Sequence, residues 1–130
     1  MILLDTNICI YIINQKPPGV LERFKNFNAG EVGVSSVVAA ELAFGVQKTS
    51  SRRNRQALEL FLAPLTIAPF DTGCIWAYAK LRAQLEKLGQ PIGSLDTMIA
   101  AQALALDLTL VTNNQKEFSR VPGLRLENWV

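Results

Sequence analysis

The chain has 130 residues, 49% of them hydrophobic and 18% charged, with a formal net charge of +2, so it can bury a core and is too apolar for a disordered polymer. It contains no histidine, which excludes a Ser/His/Asp triad, a histidine general base and any His-ligated zinc or iron centre. The mild basic excess permits nucleic-acid binding without requiring it, and the 11 acids are few enough to weigh by position.

In chain order, residues 2–4 are an apolar run stopped by Asp5 and residues 6–13 read as a helix, which predicts a strand-to-helix turn at the aspartate. Pro17, Pro18 and Gly19 break that helix, and residues 20–27 predict a second. Asn28, Ala29 and Gly30 turn the chain into a strand at residues 32–34, ended by Ser35 and Ser36, and residues 37–47 predict the next helix. A polar, basic stretch at residues 48–55 leads to a helix with Leu58, Phe61, Leu62 and Leu65 on one face, then to a third strand at residues 65–70. Residues 72–88 place Ile75, Tyr78, Leu81, Leu85 and Leu88 at spacings of three and four, an amphipathic helix closed by Gly89 and Pro91. The helix beginning at Ser94 is apolar nearly all round and belongs against a sheet. Residues 108–111 predict a strand, a short helix runs through Lys116 and Phe118, and a last strand lies near residues 124–126. Strands alternating with helices predict an α/β fold with a mainly parallel sheet covered on both faces.

Cys9 and Cys74 lie in apolar helical surroundings and form no CxxC pair, as expected of buried thiols in a reducing compartment. The amino-terminal run lacks a basic flank and is interrupted by Asp5, so it makes a poor signal peptide. No segment reaches the ~20 apolar residues of a membrane span, and a cytoplasmic location is expected. Trp76 and Tyr78, on or beside an apolar stripe, are expected in the core, and Trp129 at an exposed end open to a partner.

In open parallel sheets the ligand site lies beyond the carboxyl ends of the strands. Asp5 ends the first strand, Glu41 stands in the early turns of the helix after the second, Asp96 begins the buried helix and Asn114 follows the strand ending at Val111. Each has a structural explanation: Asp5 or Thr6 as a helix cap, Asp96 as a favourable charge in a first turn, Asn114 with Glu117 as a capping box. Glu41 resists one, because the residues from Val37 to Phe44 are otherwise apolar and an unpaired buried carboxylate costs several kcal/mol. Carboxylates gathered without cationic partners repel one another unless a divalent cation stands between them. An all-oxygen set suits Mg2+ or Mn2+ rather than zinc, and such a site supports phosphodiester hydrolysis by metal-activated water, with Glu41 as proton acceptor or second-metal ligand.

ILLDTN at the start, Ser-Ser-Val-x-x-x-Glu-Leu-x-x-Gly from Ser35 to Gly45, the run from Pro91 to Ala101 containing Gly93, Ser94 and Asp96, then Val111-Thr112-Asn113-Asn114, Glu117-Phe118 and Val121-Pro122-Gly123-Leu124, in this order, resemble the PIN-domain ribonucleases. The likeness is greatest to the VapC toxins of bacterial VapBC toxin and antitoxin pairs. It implies one PIN-like three-layer domain over residues 1–130 and endonucleolytic cleavage of RNA with Mg2+, for which Mn2+ can substitute. Initiator tRNA, cut in its anticodon stem-loop, is an implied substrate. Also implied are a VapB antitoxin laying its carboxyl-terminal segment across the groove, a homodimer, and larger assemblies that reach promoter DNA only through the antitoxin. By the same resemblance Asp5, Glu41 and Asp96 occupy the family's three acidic metal positions, and Asn114 stands where many relatives have a fourth Asp. An amide can coordinate Mg2+ through its carbonyl but brings no charge; Glu117 is a candidate to supply it. Thr6, Asn7 and Thr112 look like groups that orient the acids.

Lys48, Arg52, Arg53, Arg55, Lys80, Arg82 and Lys116 are available for phosphate contacts, or simply form a solvated surface. A haloacid-dehalogenase-like phosphatase would need a second Asp where Asn7 stands, and dinucleotide binding would need a Gly-rich turn that LDTNIC does not offer. The remaining alternative is a non-catalytic PIN-like module that binds RNA or protein.

Overall fold

The computed structural model describes residues 1–130, with β1 (Ile2–Leu4), α1 (Thr6–Asn14), α2 (Pro18–Phe24), β2 (Val32–Ser35), α3 (Ser36–Thr49), α4 (Arg52–Leu62), β3 (Thr66–Ala68), α5 (Thr72–Lys87), α6 (Ser94–Ala105), β4 (Thr109–Val111), α7 (Gln115–Phe118) and β5 (Leu126–Glu127) in order. The strands form one sheet in the order β3-β2-β1-β4-β5, and every neighbouring pair is parallel. β1 is central, with Ile2 opposite Val32 of β2 and Leu4 opposite Val111 of β4. The chain builds outward from β1 through β2 and β3, then returns to lay β4 and β5 on the other side. The carboxyl ends of β1 and β4 therefore flank a switch point, where a parallel sheet leaves a crevice.

Leu3, Leu4, Val32, Val34, Leu110 and Val111 are buried, the near-continuous apolar strands expected when helices cover both faces of a sheet. α1 packs with α2, α3 and α4, and α5 packs on α6. These two groups are the outer layers of a three-layer α/β fold, and Ile99, Ala100, Ala101 and Ala103 give α6 its fully buried face. Gly33 is required in β2: a Cβ there would stand 2.9 Å from the carbonyl oxygen of Thr66 and 3.2 Å from the sulfur of Met1.

Every predicted element is present, with shifted boundaries. α2 begins at Pro18 and ends at Phe24, rather than spanning 20–27, because a proline in the first turn has no needed N–H to lose. Phe27 leaves the helix and stacks on Trp129 at 5.5 Å. α4 starts inside the polar stretch, where the Ser51 side chain accepts from the Asn54 N–H at 3.2 Å, and Leu65 lies beyond its end. β5 begins two residues later and ends one residue later than the predicted 124–126 strand. Leu81 and Leu85 of α5 are buried, but Ile75 is exposed, with Cys74 in the inward place near the amino end, and Leu88, past the end of the helix, is exposed too. Trp76 is 71% exposed and Trp129 only 4% exposed, the reverse of both expectations. Both thiols are free and buried, and no helix is long and apolar enough to cross a membrane.

Candidate active site

Asp5 is the first residue past β1, and its N–H donates to the carbonyl of Val111 at 2.9 Å, which ties it to the end of β4. Its carboxylate accepts from the Thr6 N–H at 2.8 Å through Oδ1 and from the Thr112 hydroxyl at 2.8 Å through Oδ2. It thus caps α1, as the structural explanation required, and still has a lone pair on each oxygen for another partner. Burial raises its proton affinity above the ordinary carboxylate value, against the lowering pull of those two hydrogen bonds, Thr112 first.

Glu41 is placed two turns into α3 and is half-buried. It is not solvated on every side, as its apolar surroundings implied, although Ala40, Ala43 and Phe44 of the same helix face solvent. Glu41 is nevertheless drawn to the crevice, where its Oε1 accepts from the Thr6 hydroxyl at 3.2 Å. Thr6 therefore joins the acid beside it in sequence to one 35 residues away.

Asp96 is in the first turn of α6, whose cap residue Gly93 makes no side-chain cap bond. Its carboxyl is pushed up to about 6, first by burial, then by the charge of Asp5, by Glu117 through hydrogen bonding and charge, and by Glu41. Four acids from four segments therefore feel one another at the switch point. The chain's four ion pairs, formed by Arg23, Arg55, Arg82 and Arg125, involve none of these four acids. The acids are gathered but not closed: nowhere are three potential metal-ligating side chains already at joint bonding distance.

Asn114 does not form the capping box: its side chain makes no cap bond to α7. Its NH2 donates to Glu117 Oε2 at 3.3 Å, and its backbone N–H donates to the Thr112 hydroxyl at 3.0 Å. Thr112 thus links Asn114 to Asp5, while Asn114 also meets Glu117, one of the acids that raise Asp96. Asn7 is exposed and makes no side-chain hydrogen bond, so nothing ties it to the acids. Sequence reading missed Asn113, which donates to the Tyr11 hydroxyl at 2.9 Å and tethers the β4–α7 loop to α1. It also missed Gln102, whose polarity inside an apolar helix was the available signal.

The basic residues all lie at the surface. Arg55 is paired with Glu59 at 2.9 Å, and Arg82 with Glu86 at 3.4 Å and the Tyr78 hydroxyl at 2.8 Å. Lys48 stands 5.2 Å over the Phe44 ring, one turn past Glu41. Lys48, Arg52 and Arg53 enter no ion pair, which leaves them for anionic partners.

Residues 2–124 match the PIN domain family model. Ribonuclease VapC2 of Rickettsia felis is 45% identical over 98% of this chain and 96% of its own length. The tRNA(fMet)-specific endonuclease VapC of Shigella flexneri is 42% identical with the same coverage. The crystal structure of DNA-bound VapBC from Salmonella typhimurium superimposes with a TM-score of 0.90 at 39% identity, over 100% of both chains. Sheet order, acid placement and whole-length similarity agree: the chain belongs to the PIN-domain family, among its VapC proteins.

Proposed function

We propose that this chain is the toxin of a VapBC pair, a cytoplasmic endoribonuclease that folds as one domain and hydrolyses RNA phosphodiesters with a divalent cation, Mg2+ by the hardness of its ligands. The carrying observation is that Asp5, Glu41 and Asp96 lie around one switch point with no cationic side chain paired to them, and that Asp96 is pushed up to about 6 by burial and by its acidic neighbours. Donor chemistry and uncompensated charge fit a hard cation; Asp5, Asp96 and Glu41 would hold it, with the Asn114 carbonyl or Glu117 as further oxygen donors. Bound there, such an ion supplies an acidified water and charge stabilisation at phosphorus. The chain's own part is orientation: Thr112 and the Thr6 N–H fix the Asp5 carboxylate, and the Thr6 hydroxyl holds Glu41 where it can take a proton from an attacking water. Lys48, Arg52 and Arg53 are the cations placed to hold RNA phosphates.

Initiator tRNA is the first substrate to try, because the Shigella relative is named for it. A VapB-type partner fits the apolar cleft between α1, α3 and α4, lined by Ile10, Ile13, Leu42, Val46 and Leu58, with Thr6 and Glu41 also in its wall. An amphipathic segment laid there would cover the acids, and the relatives were crystallised as VapBC complexes on DNA. Purified protein with Mg2+ or Mn2+ is expected to cleave tRNA, EDTA to stop it, and Asp5→Ala or Asp96→Ala to lower the rate about 100-fold or more. Intact total tRNA and structured RNA after incubation with wild type and metal, together with undiminished RNA binding by Asp5→Ala, would replace this reading with a non-catalytic RNA-binding module.

A further inference from the structure

Two of the three acids stand on helices, so their approach to Asp5 depends on how α3 and α6 seat against the sheet. For α6 the seating is not obvious, since its buried side chains Ile99, Ala100, Ala101 and Ala103 are apolar and mostly small. Such a surface buries well in more than one axial register. The Thr97 hydroxyl does not help, because it donates to Gly93 at the start of its own helix, at 2.8 Å. Gln102 does. Its side chain is fully buried, and its NH2 donates to the carbonyl of Ala68 at 2.9 Å and of Pro69 at 3.2 Å, at the end of β3. Its Oε1 accepts a short hydrogen bond from the Ser35 hydroxyl. That same hydroxyl accepts from the Val37 N–H at 3.0 Å and so caps α3, the helix of Glu41.

We infer that Gln102 is a positioning residue that locks α6 in register with the β2–α3 junction and thereby sets the separation of Asp96 from Asp5 and Glu41. Asp96 lies six positions before Gln102, about 9 Å along the helix. A slip of one residue would carry it about 1.5 Å and rotate it about 100° away from the crevice, while breaking the hydrogen bonds of the fully buried Gln102 amide to Ser35, Ala68 and Pro69. A single polar group in an otherwise apolar contact is a recognised way to fix register. The inference rests on the reading of the acids as a cation site.

The test is Mn2+ binding, followed by calorimetric titration at a temperature where each protein is folded. Gln102→Met keeps length and apolar contact but removes every hydrogen bond; it is expected to weaken Mn2+ about 10-fold. Gln102→His keeps one donor and one acceptor and is expected to stay within about 3-fold of wild type. Ser35→Ala leaves the carbonyl bonds of Gln102 and removes both its link to α3 and the α3 cap; it is expected to weaken Mn2+ by about 3-fold, and it serves if Gln102→Met does not fold. Gln102→Met, or in its place Ser35→Ala, binding Mn2+ as wild type does with only a lowered Tm would reduce the network to a stability feature and overturn the inference. Wild type failing to bind Mn2+ would instead remove the cation site itself, and the inference with it.

Discussion

Each oxygen of Asp5 takes one protein hydrogen bond, and the donors come from residues of opposite visibility. Thr6 is its neighbour, so the cap is a local pattern; Thr112 is 107 positions away and meets it only because β1 and β4 pair. Thr112→Val keeps much of the shape and removes the largest influence holding Asp5 ionised. Mn2+ affinity is expected to fall about 10-fold, read by titration, and Asp5 to become harder still to ionise. Asp96 gives a pH prediction with a definite sign. Its carboxyl sits at about 6 in the fold against an ordinary 3.8, so between those values the native state binds more protons than the unfolded one and stability falls as pH rises. In EDTA, Asp96→Asn is therefore expected to melt above wild type at pH 7.5, with the difference shrinking as pH falls through about 6 and gone only well below the ordinary 3.8, where the group is protonated in both states. Scans across that range that run parallel would show that the acids do not crowd Asp96.

At the scale of elements, breaks were legible because they depend on residues within one turn, whereas the Ser51 and Asp71 caps emerged only with the structure. Ser35, Ser51 and Asp71 each accept from a backbone N–H two or three residues on and start α3, α4 and α5, and Gly89 follows the end of α5 with φ +68°. Ser51→Ala, which touches none of the acids, is expected to cost about 1 kcal/mol in urea denaturation and to leave Mn2+ affinity unchanged. Spacing was less informative about burial. The three-and-four pattern of α5 marked Leu81 and Leu85 correctly, but Ile75 faces outward beside the buried Cys74 and Leu88 lies past the last helical residue. Periodicity names a face; a neighbour has to be present for the face to be buried.

At the scale of the whole molecule, the last residues close the fold. Trp129 stacks on Phe27, its indole N–H donates to Glu127 at 2.9 Å, and Arg23 donates to the carbonyl of Asn128 at 3.1 Å. Trp129→Ala is expected to lower stability by about 3 kcal/mol, whereas the exposed Trp76→Ala should change it by less than about 0.5 kcal/mol, both by denaturant titration. The reverse ranking would contradict the packing described. What the sequence by itself determined was the succession of strands and helices, the exclusion of histidine chemistry, and the delivery of Asp5, Glu41, Asp96 and Asn114 to one rim. Those follow from local periodicity and from the rule that parallel strands end together. Only the tertiary structure decided which groups each acid meets: Thr112 against Asp5, Thr6 against Glu41, Glu117 beside Asp96, Gln102 between α6 and Ser35, and Trp129 inward with Trp76 outward. These contacts join residues far apart along the chain, and local pattern specifies the face of an element without specifying what packs on it.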